Sequence, residues 1–369
     1  MNIRQMKRAI STFRAADVSI IKDDAMRAKA QKLQAKQKGF TLLELLVVIT
    51  LLATLSVGAM VAYDGIGENA SDTAAANSLV AAESAIRNYR AVESEFPGQW
   101  DNLTNVDGSL DGSGAIPATN GMGQLLAKET KAFLGQWKQD SIDTDVTTTV
   151  YAKVASALGE VGLGELQAID SDSAFAAGIV PNLALNESNT NVTNPGDELV
   201  VFEDDDDELA AQFEDTDITT VALSIFASSG KNEAGTDVAC TTTGGAKLDT
   251  HLDATTVTNN KKLNLINDAM ESDVCSMVIA LGYGKDVPGT TIDSRVAIAQ
   301  VPTVSTTDVN AAENYARAIA LFQVGFDGFD GTDADGVISA SEIFTKARLV
   351  GVVDPEGRAI DTVLAAATK

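Results

Sequence analysis

The chain is poor in the residue types from which catalytic and transition-metal centres are usually built. Its 369 residues include one histidine, His251, and two cysteines, Cys240 and Cys275. A single imidazole without a Cys-x-x-Cys pair disfavours a zinc site. The surrounding LDTHLDATT has no nucleophile-elbow or related motif, so a Ser-His-Asp arrangement finds no support there. The glycines of GEVGLGE (Gly159, Gly162, Gly164) match neither phosphate-binding spacing. No enzyme signal survives these tests. Aromatic residues are only 5% of the chain, and Asp, Thr, Ala and Gly dominate its distal part, which suits a surface of acidic loops. Basic residues are scarce after Gly39, with 17 against 49 acids, so that portion carries −32. Such a charge repels phosphates and excludes nucleic acid as a partner, save at a local patch such as Lys261 and Lys262.

What is present is a long apolar run. GFTLLELLVVITLLATL spans Gly39 to Leu55, and from Phe40 to Tyr63 the only charged residue is Glu44. A helix over these positions is about 36 Å long at ~1.5 Å per residue, enough for a hydrocarbon core of ~30 Å. A buried core helix is usually shorter and keeps a polar stripe. Residues 1–39 carry ten Lys or Arg and three Asp, a balance of +7. The positive-inside rule puts this end in the cytoplasm and the acidic remainder outside. The run is too long for an ordinary secretory signal and lacks an A-x-A-like exit.

KQKGFTLLELLVVITLLATL resembles the class III signal of type IV pilins and type II secretion pseudopilins. The resemblance implies cleavage between Gly39 and Phe40 by a prepilin peptidase, and methylation of the new N-terminal Phe40. It makes Glu44 the acidic fifth mature residue, which would meet the α-amino group of Phe40 in a neighbouring subunit. A carboxylate in hydrocarbon costs at least ~2.5 kcal/mol on insertion scales, so it persists where a partner offsets that cost. The alternative is that Glu44 snorkels to the interface. FPGQWDNL, after the helix, also resembles the loop that follows the long helix in many pseudopilins.

Leu79, Ala82, Ile86 and Tyr89 repeat at helical spacing, so the helix continues amphipathically until Pro97 and Gly98. Gly58, Gly65 and Gly67 weaken its middle or let helices approach closely. The expected division is a basic leader (1–39), a transmembrane and filament-core helix (40–63), its continuation (64–92), and a globular head (93–369), with any split into two lobes near 203–208. Helices are expected over Gln124–Trp137, Val150–Leu158 and Ala311–Gln323. Strands are expected over Glu198–Phe202, Thr219–Ala227, Val274–Leu281 and Arg295–Val301. The fold class is therefore α+β: a long N-terminal helix on an enlarged acidic head with an antiparallel sheet. EDDDDE (Glu203 to Glu208) reads as a solvated charge block rather than a metal site. Cys240 and Cys275 lie on the outer side of the membrane, where a disulfide is expected; it would close roughly 36 residues and contribute about 4 kcal/mol. Two free buried thiols are the alternative.

DGFDGTDADGVISASEIF resembles an EF-hand calcium loop. With Glu342 at position twelve, Asp333 is third, Asp335 fifth, Gly336 sixth, Val337 seventh, Ile338 eighth and Ser339 ninth. Alternate carboxylates would face one centre, Gly336 would allow the turn, the Val337 carbonyl would serve as a ligand and Glu342 would bind bidentately. Position one falls on Gly331, and the nearest acids are Asp330 and Asp327. The expected ligands are Asp330, Asp333, Asp335, Val337, Ser339 and Glu342, with calcium as the cofactor.

Together these readings imply a non-enzymatic structural subunit of a type IV pilus or type II secretion pseudopilus. Its partners would be the membrane, a prepilin peptidase, an inner-membrane assembly platform, and further copies of itself or other pilins. It would begin as a single-pass inner-membrane precursor and end in an extracellular or periplasmic filament. The alternative is a single-pass membrane protein whose acidic calcium-binding ectodomain never polymerises.

Overall fold

From Leu42 the chain runs as one helix to Glu93. No proline occurs before Pro97, so nothing in this stretch removes a helical N–H. The end comes three residues short of that proline. Ser94 takes a left-handed φ of 67°, and its N–H donates to the Arg90 carbonyl at 2.9 Å, which caps the last turn. The computed structural model describes residues 8, 11–12, 15–35, 42–105, 107–110, 115–117, 121–138, 149–164, 166–169, 210–213, 222–231, 235–244, 247–248, 274–284, 304–306, 308–331 and 334–367. Within it two compact units are distinguished, Met1–Ile66 and Gly67–Lys369.

In the first unit a 3-10 turn, Val18–Ile20, precedes a helix at Asp24–Ala35, here called the leader helix. The long helix then exposes Leu42 to Val61 along its whole length, a span apolar and long enough to cross a bilayer.

The second unit is built on a mixed, mainly antiparallel sheet. Among the described residues its strands are β1 (Trp100–Asn102), β2 (Leu134–Trp137), β3 (Leu166–Ile169), β4 (Ala210–Phe213), β5 (Leu223–Phe226), β9 (Ser276–Gly282), β10 (Ile319–Phe326) and β12 (Ile343–Val353). Two small ribbons accompany it: β6 (Ser229–Lys231) with β7 (Asp237–Ala239), and β8 (Thr241–Thr242) with β11 (Val337–Ile338). The main order is β12-β10-β9-β1-β3-β4, with β5 joining β9 and β2 joining β5. Among the described residues only β1 and β3 pair in parallel within this sheet.

Period-two alternation sends the two sets of side chains on each central strand into different cores. Met277, Ile279 and Leu281 join Leu79, Ala82 and Ile86 of the long helix, with Trp100 and Phe322. Val278, Ala280, Ile319 and Leu321 join Leu103, Met122, Leu125 and Phe133 on the other side. The helical spacing read from Leu79, Ala82 and Ile86 thus marks the face buried against the sheet, and Tyr89 at its end is half-buried.

Two expected helices take other forms. Ala311–Gln323 begins as a turn and becomes β10, which is buried on both faces and so shows no alternation. A continuous apolar run rich in Ala and Leu imitates a helix when both faces of a strand are covered. Gln124–Trp137 splits into short helices at Met122–Leu125 and Lys128–Lys131 and then β2. Leu126 and Ala127 are extended, and Gly135 pairs with Ile225 in the sheet. The helix at Val150–Gly159 and the strands Leu223–Phe226 and Ser276–Gly282 lie where helix and strand were expected. The expected strands at 198–202 and 295–301, and the acidic run at 203–208, fall outside the described residues.

Candidate functional site

Two places hold the residues singled out by the sequence. In the first, Glu44 sits in the first turn of the long helix, with Leu42, Leu43, Leu45 and Leu46 around it, all more than half exposed. Burying such a surface is favourable by about 25 cal/mol per Å² of apolar area, so an exposed helix of this kind belongs in lipid or against other helices. Gly39 and Phe40 lie outside the described residues.

The second place is the loop between β10 and β12. Asp327 is buried and accepts from Asp335 N at 3.2 Å and Gly336 N at 2.6 Å. Gly336 has φ +91°, a conformation a side chain would strain, and a Cβ there would lie 3.0 Å from Val238. Ile338 is buried in the core shared with the long helix. Glu342 is buried and binds backbone at both oxygens, Oε1 accepting from Gly328 N at 2.5 Å and Oε2 from Ser339 N at 2.7 Å. The Ser339 hydroxyl also donates to Glu342 Oε2 at 2.9 Å, and its oxygen accepts from the Glu342 backbone N–H in a capping box on the 3-10 turn Ala340–Glu342. Asp330 accepts from the Ser341 hydroxyl at 2.8 Å, and Asp335 from Val337 N at 2.8 Å. Asp333 lies outside the described residues. Burial pushes the Asp327 carboxyl above its ordinary range although two N–H groups favour its anion, and the charges of Glu342 and Asp335 add to the rise. Among the described residues no three His, Cys, Asp or Glu side chains converge as metal ligands.

A disulfide joins Cys240 to Cys275 beside this loop. Thr241 N, next to Cys240, donates to Gly336 O at 2.9 Å, and Thr243 N donates to Ile338 O at 3.0 Å. From the other cysteine, Cys275 O accepts from Asp327 N at 2.9 Å. Both ends of the cross-link therefore hold the loop.

Two ionic clusters, one fully buried and one centred on the half-buried Arg358, had no local sequence signal. The Tyr315 hydroxyl donates to Asp101 at 2.6 Å, and Arg317 lies 3.7 Å from the same carboxylate while donating to Tyr283 O at 2.8 Å. Burial raises the Tyr315 phenol well above its usual value. Arg358 pairs with Asp354 at 2.7 Å and with Asp72 of the long helix at 3.4 Å. His251 falls outside the described residues.

The family model of the prokaryotic N-terminal methylation motif matches residues 34–60. The chain carries a type IV pilin-like prepilin signal. The matched stretch contains Gly39, Phe40 and Glu44 and runs into the exposed apolar part of the long helix. A prepilin signal on such a helix marks a prepilin peptidase substrate and fits a membrane-anchored precursor of a pilin-like structural subunit. No curated protein and no solved structure matches the chain.

Proposed function

We propose that the chain is a structural subunit of a type IV pilus or type II secretion pseudopilus, polymerised through its N-terminal helix after removal of residues 1–39. The observation that carries this reading is one continuous 52-residue helix, Leu42–Glu93, that starts within the methylation motif. Its first part is apolar and exposed, whereas Leu79, Ala82 and Ile86 are buried in the core of the second unit. A helix that is anchored at one end and bare at the other suits a protein whose bare end packs with copies of itself. Glu44 and the amino group of Phe40 would set the register between neighbours by pairing two charges that are costly alone in hydrocarbon. Incubating the precursor with prepilin peptidase tests this. Cleavage of the wild type but not of Gly39→Leu is expected. An uncleaved wild-type chain would leave the alternative of a membrane protein that never assembles.

We further propose that the loop from Asp327 to Glu342 holds calcium. The support is the spacing of Asp333, Asp335, Gly336, Ile338 and Glu342, and Asp327, buried against the Gly336 turn, would be the first ligand in place of Gly331. Asp330, Val337 and Ser339 supply the other oxygens of the proposed set. Each carboxylate oxygen has two lone pairs, so Glu342 can keep its backbone bonds and still face a cation. Calcium at ~100-fold excess over its dissociation constant would stabilise the folded chain by ~2.7 kcal/mol. Calorimetry on residues 67–369 should register calcium binding that Glu342→Gln removes. No heat with the wild type, or equal binding by the variant, would make the loop a purely hydrogen-bonded turn.

A further inference from the structure

The match to the methylation motif begins at residue 34, and the chain before it holds a 3-10 turn, Val18–Ile20, and the leader helix. The three acids of this stretch are engaged locally. Asp17 accepts from Ser19 N at 2.9 Å, Asp23 caps the leader helix by accepting from Ala25 N at 2.9 Å, and Asp24 pairs with Arg27 at 2.7 Å. Arg27 in turn donates to the Ile21 carbonyl at 2.9 and 2.6 Å, fastening the preceding turn to the helix. Lys22, Lys29 and Lys32 are exposed, with no carboxylate at ion-pair distance among the described residues, and Lys36 and Lys38 follow in the sequence. Ile20 and Met26 are 78% and 64% exposed, and Ala30 stands one turn beyond Met26 on the same face. Lys29 borders that face and Lys32 lies one turn beyond Lys29. An apolar line edged by lysines is the pattern of a helix lying in a lipid interface.

We propose that the leader helix, Asp24–Ala35, is a docking element for the anionic lipid surface on the cytoplasmic side of the membrane. Chain length enforces the proximity. Residues 36–41 are all that separates the leader helix from the apolar helix at Leu42, and at ~3.6 Å per residue they reach at most about 25 Å. Arg27 matches Asp24, while Asp17 and Asp23 keep their charges, so Lys22, Lys29, Lys32, Lys36 and Lys38 outnumber the remaining acids five to two and the segment is drawn to an anionic leaflet held so near. The apolar side chains Ile20 and Met26 would enter the headgroup region. The leader would then hold the scissile segment close to the membrane plane before processing. The inference rests on the long helix spanning the membrane, but needs neither cleavage nor polymerisation, so it fails independently of the filament reading.

The test uses the full-length precursor in vesicles, with an environment-sensitive dye on Met26→Cys; the native cysteines are bonded to each other and leave one labelling site. A second label at Ile20→Cys keeps Met26 intact. In vesicles containing phosphatidylglycerol the emission should shift to the blue relative to phosphatidylcholine alone, and about 0.5 M salt should reverse the shift. Lys29→Gln with Lys32→Gln should lower the ratio of docked to free leader about 25-fold, roughly fivefold for each lysine. Water-like emission from both labels in both lipid mixtures would overturn the proposal and leave the face to a cytoplasmic protein. A blue shift insensitive to lipid charge, salt and the lysine changes would overturn it equally.

Discussion

Removing the disulfide by Cys240→Ala with Cys275→Ala should have one global and one local effect. The cross-link spans 35 positions, for which the chain-entropy relation gives about 4 kcal/mol. Both cysteines are fully buried, and alanine avoids placing unpaired hydroxyls there. With a urea dependence of about 3 kcal/mol per molar, a 4 kcal/mol loss lowers the unfolding midpoint by roughly 1.3 M. The local effect follows from geometry: the loop hangs on Cys275 through Asp327 and on the strand after Cys240 through Thr241 and Thr243. The segment 327–342 should therefore be cut sooner than in the disulfide-bonded chain by a protease that cleaves after acidic residues. Urea denaturation and timed proteolysis of residues 67–369, compared with the double variant, provide the assay. A midpoint shift under ~0.3 M with an unchanged rate of cleavage within 327–342 would refute the reasoning on both counts.

Glu44→Val should insert into the membrane at least as well as wild type yet yield few filaments by electron microscopy; wild-type yield would show the charge to be dispensable for assembly. Asp354→Asn should change the pH dependence of stability. Burial raises the Asp354 carboxyl above 3.8 despite the Arg358 cation beside it. The folded state therefore takes up this proton first, a contribution fully present below 3.8 and lost as pH rises through the raised folded value. Wild type should gain stability relative to the variant as pH falls through that window in thermal melts, and a relative loss there would contradict the assignment.

Local features were legible in the sequence, and features made by distant segments were not. The prepilin signal needs only adjacent residues, and the buried helical face is written in Leu79, Ala82 and Ile86 at regular spacing. The turn at Gly336 was likewise local. The role of Asp327 was not, because it emerges only when its carboxylate meets backbone eight and nine residues away. Tyr315 and Asp101 are 214 positions apart, and no periodicity links them. β10 carries a helix-like pattern because the covering of both its faces is a tertiary fact that erases the alternation by which strands are recognised.

The central claim is that the chain is processed as a prepilin. Mass spectrometry of its N-terminal peptide, isolated from the native cell, tests it most directly. The expected terminus is Phe40 carrying one methyl group, with residues 1–39 absent. An intact Met1 terminus, or a mature terminus at any residue other than Phe40, would contradict the account.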